Sequence, residues 1–157
     1  MILYFLRHGL AVDSELWTGD DHERALTTEG VRQMKTSANT LKKMGVKIDV
    51  ILSSPLKRAV QTAQVAATAM DLEVFQDERL AYGFDLESLS EIIAEHPSAN
   101  AIMLVGHEPD FSSTVSALTG GSEIIMKKGG LARVDLTESS PPKGELVWLL
   151  PPKVLAA

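Results

Sequence analysis

The chain has 157 residues, which fits a single domain over 1–157 and is long enough to bury a substantial core. It has no cysteine, so thiolate catalysis, cysteine-ligated zinc and disulfide bridges are excluded. A net charge of -6, from 15 Lys and Arg against 21 Asp and Glu, disfavours a globally basic nucleic-acid binder, and taken alone it disfavours an anionic substrate as well.

Ile2 to Leu6 is apolar at every position, as expected of a strand covered on both faces of a parallel sheet. The run is too short to cross a bilayer and has no basic segment before it. A soluble, cytoplasmic protein with no membrane attachment is therefore expected. Residues 13–26 are polar and acidic and read as a surface loop. Val31, Met34, Ala38 and Leu41 share one face of a helix that begins near Thr27, with Gly45 placed to end it. Asp49 to Ser53 reads as a second strand. Ser54-Pro55 then reads as an N-cap with proline in the first helical position. Ala59, Ala63, Ala66 and Met70 line one face of the helix that follows, and Leu72 to Phe75 reads as a third strand.

Leu86 to Glu95 reads as a weaker helix stopped by Pro97. Ala101 to Val105 is the next buried strand, and Pro109 opens a helix through about Leu118. Leu131 to Leu136 and Leu146 to Leu150 read as two final strands, joined through the turn-rich stretch Ser139 to Gly144 as a hairpin-like return. The tail from Pro151 is expected to fray. Strands that alternate with helices imply an α/β fold: a three-layer sandwich with a mostly parallel central sheet and helices on both faces.

Ligands of such sheets bind beyond the carboxyl ends of the parallel strands. Arg7-His8-Gly9 follows the first strand, Ser53-Ser54-Pro55-Leu56-Lys57-Arg58 the second, and Gly106-His107-Glu108-Pro109 the strand ending at Val105. Two arginines and two histidines thus fall at three corresponding places, which points to phosphoryl chemistry. A guanidinium offers a permanent charge and a planar fork of donors that matches phosphate oxygens. A neutral histidine, with one ring nitrogen held by a hydrogen bond, can attack phosphorus through the other. Neighbouring Arg7 and Arg58 would disfavour the imidazolium form, and Gly9 would let the backbone pass close to the bound group. No Walker A loop, dinucleotide glycine pattern or Gly-x-Ser-x-Gly elbow is present, and the histidines and acids show no metal-ligand spacing. Lys127-Lys128-Gly129-Gly130 reads as a turn carrying two solvated lysines.

These motifs resemble those of the histidine phosphatase superfamily, which includes the phosphoglycerate mutases. Arg7-His8-Gly9 is similar to its opening signature. Ser53 to Ala59, with Gln61-Thr62-Ala63 behind it, is similar to the second motif, and Val105 to Pro109 to the third. The short chain, the continuation through Arg24-Ala25-Leu26-Thr27 to Gly30, and the reading Gly-His-Glu-Pro are similar to the small SixA-type phosphohistidine phosphatases. The resemblance implies a phosphoglycerate mutase-like fold with a minimal cap, and a phosphatase that needs no metal or other cofactor. It implies His8 as nucleophile, with Arg7, Arg58 and His107 binding the phosphoryl group. Arg24 either faces the site or pairs with an acid. Larger relatives carry a general acid after the third strand. Here Glu78 and Asp85 are candidates in that region, and Glu108 is a third beside His107.

The expected substrate is phosphohistidine on a signalling protein, such as a histidine phosphotransfer domain, with neither nucleic acid nor membrane as partner. Hydrolysis of a small phosphate ester is the alternative within the superfamily, and a phosphate-binding sensor module with little turnover is the alternative outside enzymes. A chain this short leaves little for a capping subdomain, so a shallow, open site is expected.

Overall fold

Alternation along two central strands decides the layering. In β1 (Ile2–Arg7), Leu3 and Phe5 join one apolar cluster while Tyr4 and Leu6 join another. In β4 (Ala101–Gly106) every residue is buried, and Ile102 and Leu104 face the first cluster while Met103 and Val105 face the second. Successive strand residues point to opposite faces, so both faces need cover. Leu89 and Ile92 of α3 (Leu86–Glu95), with Phe111 and Val115 of α4 (Asp110–Leu118), cover the first. Met34 and Leu41 of α1 (Thr28–Lys43), with Ala59 and Ala63 of α2 (Lys57–Met70), cover the second. A computed structural model describes all residues from Met1 to Ala157.

The remaining strands are β2 (Val50–Ser53), β3 (Val74–Gln76), β5 (Leu131–Ser139) and β6 (Pro142–Leu150). The sheet order is β3-β2-β4-β1-β5-β6. The first four strands pair in parallel, and β5 runs antiparallel to both β1 and β6. The expected α/β sandwich with a mostly parallel sheet is therefore present, and the three motif-bearing strands lie side by side as β2-β4-β1.

Three local readings differ from expectation. Ser54 does not cap α2. That helix starts at Lys57 with Leu56 at the N-cap, and the Ser54 hydroxyl turns elsewhere. The final hairpin is longer than its apolar runs, with a two-residue turn at Ser140-Pro141, because the added residues near Glu138 and Lys143 are exposed and carry no apolar pattern. The tail does not fray. Pro152–Leu155 forms α5, and Leu155 is buried in the second cluster.

The acidic segment 13–26 is also more ordered than a loop. It holds a 3-10 turn at Asp21–Glu23 and closes through a bridge between Ala11 and Leu26. Thr27 caps α1 by accepting from the Gly30 amide. A Cβ on Gly30 would overlap the Leu10 carbonyl oxygen, and one on Gly9 would come within 2.8 Å of Met34 Cγ. The two glycines thus let the segment after β1 lie directly against α1. Overpacking at a backbone contact typically costs about 1–3 kcal/mol. Gly30→Ala is accordingly expected to lower stability by about that amount in urea unfolding. A neutral substitution would contradict the close approach of α1 to Leu10.

Candidate active site

The parallel ladder continues past the strand ends and fixes the first residues of the motifs. The His8 amide donates to the Gly106 carbonyl at 3.0 Å, and the Ser54 amide to the Val105 carbonyl at 2.9 Å. Arg7, His8, Arg24, Arg58, Tyr82 and His107 then line one cleft of about 370 Å³, joined by Glu108 and Lys128. A larger groove of about 580 Å³ between α1 and α2 contains none of these residues. His8, Arg58 and His107 are 6%, 2% and 2% exposed, more recessed than the shallow, open site expected.

His8 Nδ1 lies 2.8 Å from the Gly9 carbonyl oxygen. A carbonyl only accepts, so Nδ1 carries the proton and Nε2 keeps its lone pair. Burial, more than the nearby charges, pushes the His8 pKa down to about 3, with His107, Arg58 and Arg7 acting in the same direction. His107 is likewise held down at about 4, first by burial and then by Arg58. Its Nε2 shares a 2.7 Å hydrogen bond with Ser54 Oγ, which also accepts from the Leu56 amide. The two imidazoles stand with ring centroids 5.3 Å apart.

Thr62 joins the first motif to the second. Its hydroxyl accepts from the Gly9 amide at 3.0 Å and donates to the Arg58 carbonyl at 2.7 Å. One turn of α2 away from Arg58, it therefore fixes the backbone that holds His8. Gln61 beside it accepts from the Leu26 amide at 2.8 Å, which ties in the segment after Arg24.

The guanidinium of Arg7 donates to the Met126 carbonyl at 2.8 Å. Arg58 donates through Nη1 to the Asp21 carbonyl, and through Nη2 to both Asp21 Oδ2 and Tyr82 Oη. Tyr82 passes its own proton to Asp21 Oδ2 at 2.8 Å. Arg24 reaches the other oxygen of that carboxylate at 2.9 Å and the Val12 carbonyl at 2.9 Å. Its bond, with those from Tyr82 and Arg58, holds Asp21 well below the usual carboxylate range. Burial and the Asp21 bond push the Tyr82 phenol up. Arg24 thus does both things the sequence left open: it lines the cleft and it pairs with an acid.

Buried polar atoms nearly always find partners. Arg7 Nε, Arg58 Nε and His107 Nδ1 have none, and the one other such atom is Ser37 Oγ in α1. Unmet polar capacity is therefore concentrated on the residues of the cleft.

The candidate acids are placed differently. Glu108 lines the cleft, but its carboxylate accepts from the Ser112 amide and hydroxyl in the first turn of α4. Asp85 caps α3 by accepting from the Ser88 amide, and neither it nor exposed Glu78 lines the cleft. Lys128, expected to be a solvated turn residue, is in that turn and also lines the cleft. No group of three or more His, Asp or Glu side chains forms a potential metal centre. No helix is long and apolar enough to cross a membrane.

Asp21, Tyr82, Ser54 and Thr62 were not picked out as site residues from the sequence. Asp21 stands three positions before Arg24, inside the segment that continues the first motif, and that spacing was the available signal. Tyr82 lies between the candidate acids Glu78 and Asp85 and belongs to none of the three motifs.

An α/β sandwich with two arginines and two histidines at the carboxyl edge of its parallel strands is the architecture of a phosphoryl-handling hydrolase. The family model for the histidine phosphatase superfamily (branch 1) matches residues 3–99, more than half of the chain. The chain belongs to that superfamily. It is 37% identical over 139 residues to an uncharacterised protein of Picosynechococcus, covering 83% of this chain and 82% of that one. It is 28% identical over 157 residues to phosphohistidine phosphatase SixA of Escherichia coli, covering 97% and 94%. The structure of the protein histidine phosphatase SixA complexed with tungstate matches it with a TM-score of 0.88 at 26% identity, covering 99% of both chains.

The depressed histidine pKa values also enter stability. Below the unfolded value of about 6.5, the unfolded chain takes up protons that folded His8 and His107 refuse until about 3 and 4. Stability therefore falls as the pH drops from 6.5, by up to about 1.4 kcal/mol per pH unit for each histidine. His8→Ala removes one of these two contributions. Urea unfolding between pH 6.5 and 4.5 should show a shallower slope for His8→Ala than for the wild type. Equal slopes would contradict a neutral, buried His8.

Proposed function

We propose that the protein is a phosphohistidine phosphatase that removes the phosphoryl group from a histidine of a signalling protein such as a phosphotransfer domain. The observation that carries this reading is the bare Nε2 of a neutral His8 in a cleft whose arginines and second histidine retain unpartnered nitrogens. Phosphoryl transfer asks the protein mainly for positioning and for donors to the equatorial oxygens. Arg7 and Arg58 supply permanent charge. With Ser54 Oγ donating to His107 Nε2, the His107 Nδ1–H is a third donor. The SixA structure that matches this chain along its length was obtained with tungstate, a tetrahedral oxyanion like phosphate.

In the first step His8 Nε2 forms a bond to phosphorus as the substrate's N–P bond breaks, and the bonding pair stays on the leaving nitrogen. A proton on the other nitrogen of that ring makes the leaving group neutral imidazole. With a reference pKa of about 6.5, imidazole departs far more easily than an alkoxide. The step therefore needs no acid at the scissile bond, which suits a site whose lining carboxylates, Asp13 and Glu108, already accept from the amides of Glu15 and Ser112. In the second step water attacks phosphorus, His8 leaves, and inorganic phosphate is released with the proton balance returned to solvent.

Turnover of a phosphorylated phosphotransfer domain should exceed that of sugar phosphates and nucleotides, and should survive EDTA. His8→Ala should lower kcat/KM by about 10³-fold or more, and Arg58→Ala by about 10²–10³-fold. A preference for the small esters would overturn the substrate assignment. Substantial turnover by His8→Ala would overturn the mechanism.

A further inference from the structure

Tyr82 is 59% exposed, so burial does not account for an aromatic ring at this position. The ring is nevertheless held in place. Its hydroxyl accepts from Arg58 Nη2 and donates to Asp21 Oδ2, each at 2.8 Å. Its centroid lies 5.4 Å from that of His107 with the planes inclined at 35°, and His107 in turn lies 5.3 Å from His8. Three rings therefore lead from the nucleophile on the cleft floor to an exposed phenol at its rim.

Packing a ligand against a free surface side chain costs conformational entropy. Here the two hydroxyl bonds have already restricted the ring, so a flat ligand can stack on it with little further ordering. In-line displacement places the leaving group on the side of phosphorus opposite His8, towards the rim. We infer that Tyr82 is a specificity-determining residue whose ring provides a stacking platform for the planar leaving group, the imidazole of the phosphohistidine substrate. This rests on the phosphohistidine reading. An alkyl or amine leaving group has no π-face to offer and gains nothing from the platform.

The test compares free phosphohistidine with phosphoramidate, which has the same P–N bond and no ring. It is read as the ratio of the two kcat/KM values, which does not depend on the fraction of enzyme that is folded. Tyr82→Phe loses the hydroxyl and keeps the ring. Its rates should fall on both substrates, through Arg58, and its ratio should lie between those of the wild type and Tyr82→Leu, because the ring is kept but is no longer held. Tyr82→Leu loses both, and its ratio should fall by about threefold to tenfold. A wild-type ratio in Tyr82→Leu overturns the platform and leaves the phosphohistidine reading standing. Wild-type enzyme that turns over phosphoramidate but not phosphohistidine overturns that reading, and the platform with it.

Discussion

The Nδ1–H of His8 is bonded to the Gly9 carbonyl at 2.8 Å, and the rest of the site is arranged around the nitrogen that this leaves bare. The bond is short-range, between adjacent residues, yet it depends on a carbonyl held from several directions. The Gly9 amide is anchored on Thr62, Thr62 on the Arg58 carbonyl, and the His8 amide on Gly106 of the neighbouring parallel strand. Gly9 and Gly30 let α1 close over the same segment. Burial then keeps the ring neutral, and the arginines act in the same direction. The tautomer of one histidine is in this sense set by contacts among β1, β4, α1 and α2.

Charge is distributed locally, against the trend of the chain. A protein of net charge -6 places Arg7, Arg24 and Arg58 around one cleft. A guanidinium 2% exposed needs partners, and Asp21 with Tyr82 supplies them to both terminal nitrogens of Arg58. Its Nε, like that of Arg7, has no partner. The acidic segment that read as a solvated loop is thus the element that orients the most buried arginine of the site. Overall acidity weighs against a large anionic polymer and says little about a single phosphoryl group.

The sheet was legible because β1 and β4 are apolar on both faces, a pattern that a half-exposed strand does not show. Arg7, His8, Arg58 and His107 were legible because three strand ends in one layer must meet at one edge. Other features have only weak sequence signals. Ser54 beside Pro55 carries the pattern of a helix cap, and only the neighbouring strand reveals that its hydroxyl faces His107. Leu155 anchors the tail through one buried side chain, too little to form a periodic pattern. Asp21 lies among several acids, and its spacing from Arg24 is a weak signal until the 3-10 turn brings it against Arg58. Asp85 and Glu108 accept from Ser88 and Ser112 in the first turns of α3 and α4, and Glu78 is exposed outside the cleft, placements that nearness to a motif does not foretell.

In the proposed reaction, phosphorus passes through Nε2 of His8. The most direct test is rapid quenching of the enzyme with a ³²P-labelled phosphotransfer domain, followed by mapping of the labelled residue and NMR assignment of the bonded nitrogen. The expected result is a base-stable, acid-labile phosphoryl group on His8 Nε2 that forms and decays within turnover. A label on His8 Nδ1 or on another residue, or turnover with no labelled enzyme at any time, would contradict it.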